Sequence, residues 1–270
     1  MGQIACGTSV SRKYGISDRH LAIATEAGIE RIEVALFDKN VDFHNSEVLA
    51  WAAGVVEKSG VVCRSVHLNF GEDCDISAAD DAARQAAVED SAYGISIAHV
   101  FGAGMAVVHG SDEPISDADR GQRISNLRAS LATLCEVAEE HDVLLALELL
   151  PRTCLGNTVD EALAIVEGLD ERRIGFCLDV NHVNLREDPA DAVRRLGKRI
   201  WTFHISDNDG VDERHWLPFE GIIDWKGFME AVRETGYEGQ FIFETAGSLG
   251  EDVEAYAREL KKRFERLMAL

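Results

Sequence analysis

Seven acidic or imidazole side chains close runs that are otherwise apolar: Glu33 in "RIEVALF", His67 in "VVCRSVHL", His109 in "MAVVHG", Glu148 in "VLLALELL", Asp179 in "RIGFCLD", His204 in "IWTFHIS" and Glu244 in "QFIFE". A charge at the end of a segment committed to burial needs a partner or a cation, because stripping its water without compensation is costly. The last four are three carboxylates and one imidazole, oxygen donors plus one nitrogen that suit a single divalent cation. A further histidine, His182, follows Asp179 at a spacing of three in "LDVNH". Taken singly, each has a plain alternative as a salt-bridge or helix-capping group, and Glu33 has no argument beyond that. It is the recurrence at equivalent places that calls for a site. His20, His44, His99 and His141 fall in expected helices or loops and read as structural or solvated.

For those ends to converge, the segments that carry them must lie side by side and run in one direction. The candidate strands cover residues 3–9, 31–37, 61–68, 105–110, 143–150, 173–179, 200–206 and 240–244. Their apolar character is continuous rather than alternating, as in parallel strands covered on both faces. Helical spacing fills the intervals: "LRASLATLCEVAEEH" puts Leu127, Leu131, Leu134, Cys135 and Ala138 on one side. Ser17 and Asp224 are placed to cap helices, and Gly28, Gly60, Gly168, Gly197 and Gly236 to end them just before the next strand. Eight strand–helix units without a linker or composition break predict one (β/α)8 TIM barrel over residues 1–270. An open doubly wound sheet is the alternative, but "CGTSVSRKYG" after the first strand lacks its glycine fingerprint. In a closed barrel all C-terminal strand ends share one mouth, where active sites lie.

The bulk properties narrow the chemistry. Hydrophobic residues make up 46% and charged residues 28%, an ordinary globular balance. The net charge of −21 disfavours phosphate backbones and anionic membranes, so neither nucleic acid nor membrane is expected as a partner. No apolar stretch is long enough to span a bilayer and the start does not read as a signal peptide, so a cytoplasmic protein is expected. Gly2 follows Met1, but Cys6 occupies the place where a myristoylation signal has Ser or Thr. The six cysteines form no C-x-x-C pair and read as reduced, packed thiols.

The segments "LALELLPR", "FCLDVNH", "FHISDNDG", "ERHWLPFEGIIDW" and "FIFET" resemble the xylose-isomerase-like barrel superfamily of sugar isomerases and epimerases, inosose and hydroxypyruvate enzymes and zinc AP endonucleases. The similarity covers nearly the whole chain and is strongest from about residue 143 to 245. In the isomerase and epimerase branch the metal ligands fall on Glu148, Asp179, His204 and Glu244, and His182 is expected to touch a substrate oxygen. The resemblance implies one divalent ion (Mn, Mg, Co or Zn), no organic cofactor, and a small sugar or keto acid as substrate. Isomerisation and epimerisation both remove a proton next to a carbonyl, and Glu148 and Glu244 are the expected pair to move it through an enediolate. Barrels of this type often form homodimers.

The endonuclease branch holds three zinc ions, and much of its larger ligand set has counterparts here. His67, His109 and Glu148 match its first site, and His182 and His215 its third. Its third-site aspartate falls on Glu213, while Asp212 has the wrong spacing. Against that reading stand the acidic surface and the lack of a basic or aromatic-rich insertion that could enter a duplex. His67 and His109 also line the pocket in sugar enzymes of the superfamily. A metal-dependent lyase or dehydratase on the same barrel is a further alternative, as is a binding subunit without turnover.

Substrate contacts are expected from Arg214 and His215, which could point into the mouth, and from Arg152 and Arg186, which could hold an oxyanion. Phe219 stands where the superfamily's P-G-x-G turn has glycine, and either closes the pocket or packs on the rim. Trp216 and Trp225 read as packing residues. The glycine-containing loop "TAGSLGED" follows strand eight, where barrels often hold phosphate. The acidic start of the next helix disfavours an anion there, which points to a non-phosphorylated sugar or keto acid.

Overall fold

A computed structural model describes residues 2–8, 16–37, 41–245 and 252–270. Eight parallel strands close in sequence order into a barrel. They are β1 (Gln3–Gly7), β2 (Arg31–Ala35), β3 (Val62–His67), β4 (Met105–Val108), β5 (Leu144–Glu148), β6 (Ile174–Asp179), β7 (Ile200–Ile205) and β8 (Gln240–Phe243). The closure is the β1–β8 pairing, in register from Gln3 opposite Gln240 to Cys6 opposite Phe243.

Around them run α1 (Asp18–Glu26), α2 (Ser46–Ser59), α3 (Asp81–Val100), α4 (Asp117–Glu140), α5 (Val159–Ile165), α6 (Val180–Asn184), α7 (Pro189–Leu196), α8 (Trp225–Thr235) and α9 (Val253–Met268). Short polar side chains start them. Ser17 accepts the His20 N–H, and Asp224 accepts the Gly227 N–H. Gly60 and Gly236 end α2 and α8 in the left-handed conformation, at φ 75° and 72°, where a Cβ would be strained. The apolar face read along α4 is the one it buries: Leu127, Leu131, Leu134 and Ala138 are inaccessible, with Cys135 partly covered beside them.

The main core lies between barrel and helices. Outward strand residues such as Val66, Leu147, Phe203 and Phe241 pack there against Val55, Ile95, Leu131 and Phe228. A small apolar plug, Val107, Ala146 and Cys177 with Met105 against it, lies in the barrel interior. Many other interior positions are polar, among them Glu33, Ser65, Thr202 and Gln240, all buried. Two register shifts aim inward residues at the mouth: one between Ile32 and Glu33 on β2, one between Phe176 and Cys177 on β6. Among the described residues no helix is long and apolar enough to cross a membrane.

Candidate metal centre

Alternation along a strand sends every second side chain inward. On the last four strands this brings Glu148, Asp179, His204 and Glu244 together, each offering one ligand atom within 4.8 Å of the others. Asp179 and His204 are direct neighbours across the β6–β7 pairing. Asp179 also caps α6, with Oδ1 accepting the His182 N–H at 3.0 Å, so only Oδ2 is left to face the mouth. Three buried atoms of this quartet make no hydrogen bond: Glu148 Oε1, Asp179 Oδ2 and His204 Nδ1. Buried atoms without a hydrogen bond are rare in folded proteins, and a cation among these four residues would satisfy all three. Otherwise Glu148 Oε1 and His204 Nδ1 have the ion-pair approaches of His182 and Glu244, at 3.2 Å each.

Glu148 is the hub. The Nε2 atoms of His67 and His109 each lie 3.2 Å from its Oε2, and His182 Nδ1 lies 3.2 Å from its Oε1. Burial alone would raise its pKa, but the charges of His204 and His109 prevail and hold the carboxylate well below its ordinary range. Burial works the same way on Glu244, where His204, with Nδ1 3.2 Å from Oε2, brings it down to about 2. In Asp179 burial prevails and the pKa is raised. Burial would lower His182 and His204, yet their acidic surroundings push both well above the usual imidazole value. His109 is lowered by its burial. Cys177 lies under the quartet within reach of Glu148 and His204, and burial keeps its thiol protonated.

Two further trios flank the quartet: His67, His109 and Glu148 on one side, His182, Glu213 and His215 on the other. Glu213 stands where the endonuclease pattern has aspartate, and it nevertheless reaches both imidazoles, with Oε2 3.5 Å from His182 Nε2 and 3.6 Å from His215 Nε2. The rings are held from behind. His67 Nδ1 lies 2.9 Å from the Leu68 carbonyl, His182 Nδ1 3.1 Å from that of Leu149, and His215 Nδ1 3.0 Å from that of Glu244. With Nδ1 on a carbonyl, each ring turns Nε2 towards a carboxylate of the mouth, Glu148 for His67 and Glu213 for His182 and His215.

The rim arginines are engaged elsewhere. Arg152 binds the carboxylates of Glu113, Asp212 and Glu213, and so ties together the loops after β4, β5 and β7. Arg214 turns to Asp209, with Nε 2.8 Å from Oδ2, and Arg186 donates to the Arg152 carbonyl at 2.5 Å. Arg152 is held by three carboxylates, whereas Arg214 is engaged through Nε and Arg186 through one terminal nitrogen. Phe219 packs on the rim, under the Arg266 guanidinium at 3.7 Å and tilted against Trp225. Trp225 is buried. An aromatic contact unread in the sequence lies at the opposite edge, where half-exposed Phe70 stacks on His109 at 4.5 Å and meets Phe37 edge-on. The 246–251 part of the "TAGSLGED" loop lies outside the described residues.

A closed parallel barrel with carboxylates and imidazoles gathered at its C-terminal ends defines a class, the TIM barrels with a candidate cation site in the mouth. More narrowly, the chain belongs to the xylose isomerase-like TIM barrel family, whose model matches residues 21–267. Curated relatives include the L-ribulose 3-epimerase of Mesorhizobium japonicum, 29% identical over 255 residues, which are 89% of this chain and 79% of that protein. The D-psicose 3-epimerase of Enterocloster bolteae is 28% identical over 165 residues, 58% of this chain and 53% of that protein. Across the first curated relatives it matches, the chain spans about half of their length. In structure the fold matches a D-tagatose 3-epimerase-like protein with a TM-score of 0.84 at 23% identity, over 99% of this chain and 98% of the other.

Proposed function

We propose that the protein is a divalent-metal-dependent sugar epimerase acting on a small ketose. The observation that carries the reading is the quartet Glu148, Asp179, His204 and Glu244 with its three unsatisfied buried atoms; its sugar 3-epimerase relatives support it. Those four residues would hold the ion, which would supply Lewis-acid polarisation of the substrate's carbonyl and stabilise the developing oxyanion.

The chain's own part is proton transfer and positioning. Glu244 is the more accessible of the two glutamates, with its side chain 16% exposed against 1% for Glu148, and it faces the mouth as a charged carboxylate. It takes the proton from the carbon next to the carbonyl and passes it to solvent, while Glu148, first protonated through His182 at 3.2 Å, returns one from the other face. His182, fixed by Leu149 and α6, holds a substrate oxygen. The engagement of Arg152, Arg186 and Arg214 by protein groups favours a neutral sugar over a phosphorylated one. Glu244→Gln is expected to lower kcat on the responding ketose by at least about a hundredfold, the scale of a lost general base. Full turnover in that variant would remove Glu244 from the reaction.

A second reading rests on the two flanking trios. His67, His109 and Glu148, and His182, Glu213 and His215, are set for additional cations, as in a multinuclear zinc phosphoesterase. Zinc-loaded protein that hydrolyses a phosphodiester such as bis(p-nitrophenyl) phosphate, and leaves ketoses unchanged, would bring that reading forward.

A further inference from the structure

His204 is the single nitrogen donor of the quartet, and it is wholly buried. An imidazole can offer a lone pair to a cation from either ring nitrogen, and which one it offers depends on what holds the other. Here Nε2 lies 3.0 Å from Glu33 Oε1, while Nδ1 is the unsatisfied atom turned towards Glu148 and Glu244. Glu33 is itself 1% exposed, and its second oxygen accepts the Ser65 hydroxyl at 2.6 Å. Ser65 in turn accepts from Gln240 Nε2 at 3.3 Å.

The backbone is shaped for this contact. Along β2 and β3, Ile32 pairs with Cys63 but Glu33 pairs with Ser65, so the register skips Arg64 at this point. Without the skip Glu33 would face Arg64; with it, the carboxylate meets the serine inside the barrel. Irregularities of this kind re-aim side chains next to functional sites. A buried carboxylate with a hydroxyl on one oxygen and an imidazole on the other has little freedom to rotate.

We propose that Glu33, backed by Ser65 and Gln240, is a positioning residue for cation binding: it accepts the Nε2–H of His204 and so commits Nδ1 to the ion. The inference rests on the quartet being the cation site, as in the function proposed above. Glu33 touches neither cation nor substrate in this role and acts only through the ring of His204. It explains why a carboxylate sits inside the barrel with no arginine or lysine among its hydrogen-bond and ion-pair partners in the described residues.

The test compares the full chain with Glu33→Leu, close in size but with no acceptor for the His204 Nε2–H; Glu33→Gln, whose amide oxygen can still accept it, is expected to lose less. Mn2+ affinity is measured by calorimetric titration of chelator-stripped protein. Glu33→Leu is expected to stay folded, with an unchanged far-UV spectrum, and to bind Mn2+ about 10- to 100-fold more weakly, the usual effect of removing a partner behind a ligand histidine. Ser65→Ala is expected to weaken binding in the same direction by less. Affinity within about twofold of the parent in Glu33→Leu would overturn the proposal.

A second measurement needs no variant. In the Zn2+-loaded parent, nitrogen-15 NMR of the His204 ring is expected to show Nδ1 bound to metal and a slowly exchanging proton on Nε2. Metal on Nε2 would overturn the assignment even if every variant failed to fold. If the parent binds neither Mn2+ nor Zn2+, the quartet reading itself falls, an outcome distinct from a parent that binds and a Glu33→Leu that binds equally well.

Discussion

Four imidazoles crowd one carboxylate at the heart of the mouth. Glu148 is reached by His67, His109 and His182 at 3.2 Å and by His204 at 3.5 Å, and all but His109 are buried. Such a cluster must either carry protons on its imidazoles to balance its carboxylates or hold a cation in their place. The orphaned Nδ1 of His204 and Oδ2 of Asp179 favour the cation. Asp179→Asn is therefore expected to lower the bound-metal content of purified protein well below that of the parent, by elemental analysis, while leaving the helix cap largely intact, because the amide oxygen still accepts the His182 N–H. Retention of the full metal content would place the ion elsewhere. Arg152 makes the opposite case. Because its guanidinium is spent on Glu113, Asp212 and Glu213, Arg152→Ala is expected to change KM for a neutral ketose by less than about fivefold and stability by about 1 kcal/mol or less, the scale of exposed ion pairs. A large rise in KM with stability unchanged would return Arg152 to the substrate.

At the level of elements, the segment after β7 organises one side of the mouth, and buried Asp207 holds it. Its carboxylate accepts from the backbone N–H groups of Asn208, Phe219 and Ile223 and from the indole of Trp225. Its own backbone pairs with Trp216, closing the loop that carries Glu213 and His215. Asp207→Ala would leave several donors buried without an acceptor, and is expected to cost about 3 kcal/mol or more in urea denaturation. A cost below about 1 kcal/mol would mean the loop has another anchor. This is also where the sequence was least legible. The strands showed as apolar runs with polar ends, because both faces of a parallel barrel are covered, and the quartet showed because each member ends such a run. The partners of Arg152 come from residues as far as 61 positions away on two other loops, and His204 meets Glu33 from 171 positions away. Local pattern carries no trace of such pairings. A partial signal for Glu33 did exist: it interrupts the otherwise apolar run from Ile32 to Phe37. The irregular register that completes the contact with Ser65 becomes visible only once the strands are paired.

For the whole molecule, the balance of charge and the barrel's polar interior belong to one design. A net charge of −21 surrounds a mouth lined by carboxylates, which draws in divalent cations and repels polyanions. Cation binding to the folded chain alone stabilises it by mass action, about 2.7 kcal/mol when free metal exceeds Kd a hundredfold. Removing metal with a chelator is accordingly expected to lower Tm by roughly 5–10 °C, reversibly on adding Mn2+. A Tm indifferent to chelator and metal would argue that the quartet holds no ion. The central claim, metal-dependent proton transfer next to a sugar carbonyl, is tested most directly by incubating Mn2+-loaded protein with a panel of neutral ketoses in D2O. The expected result is an epimer carrying one deuterium at the inverted carbon, formed only with metal and absent in Glu244→Gln. Failure of every ketose to exchange or epimerise, with metal demonstrably bound, would contradict the account.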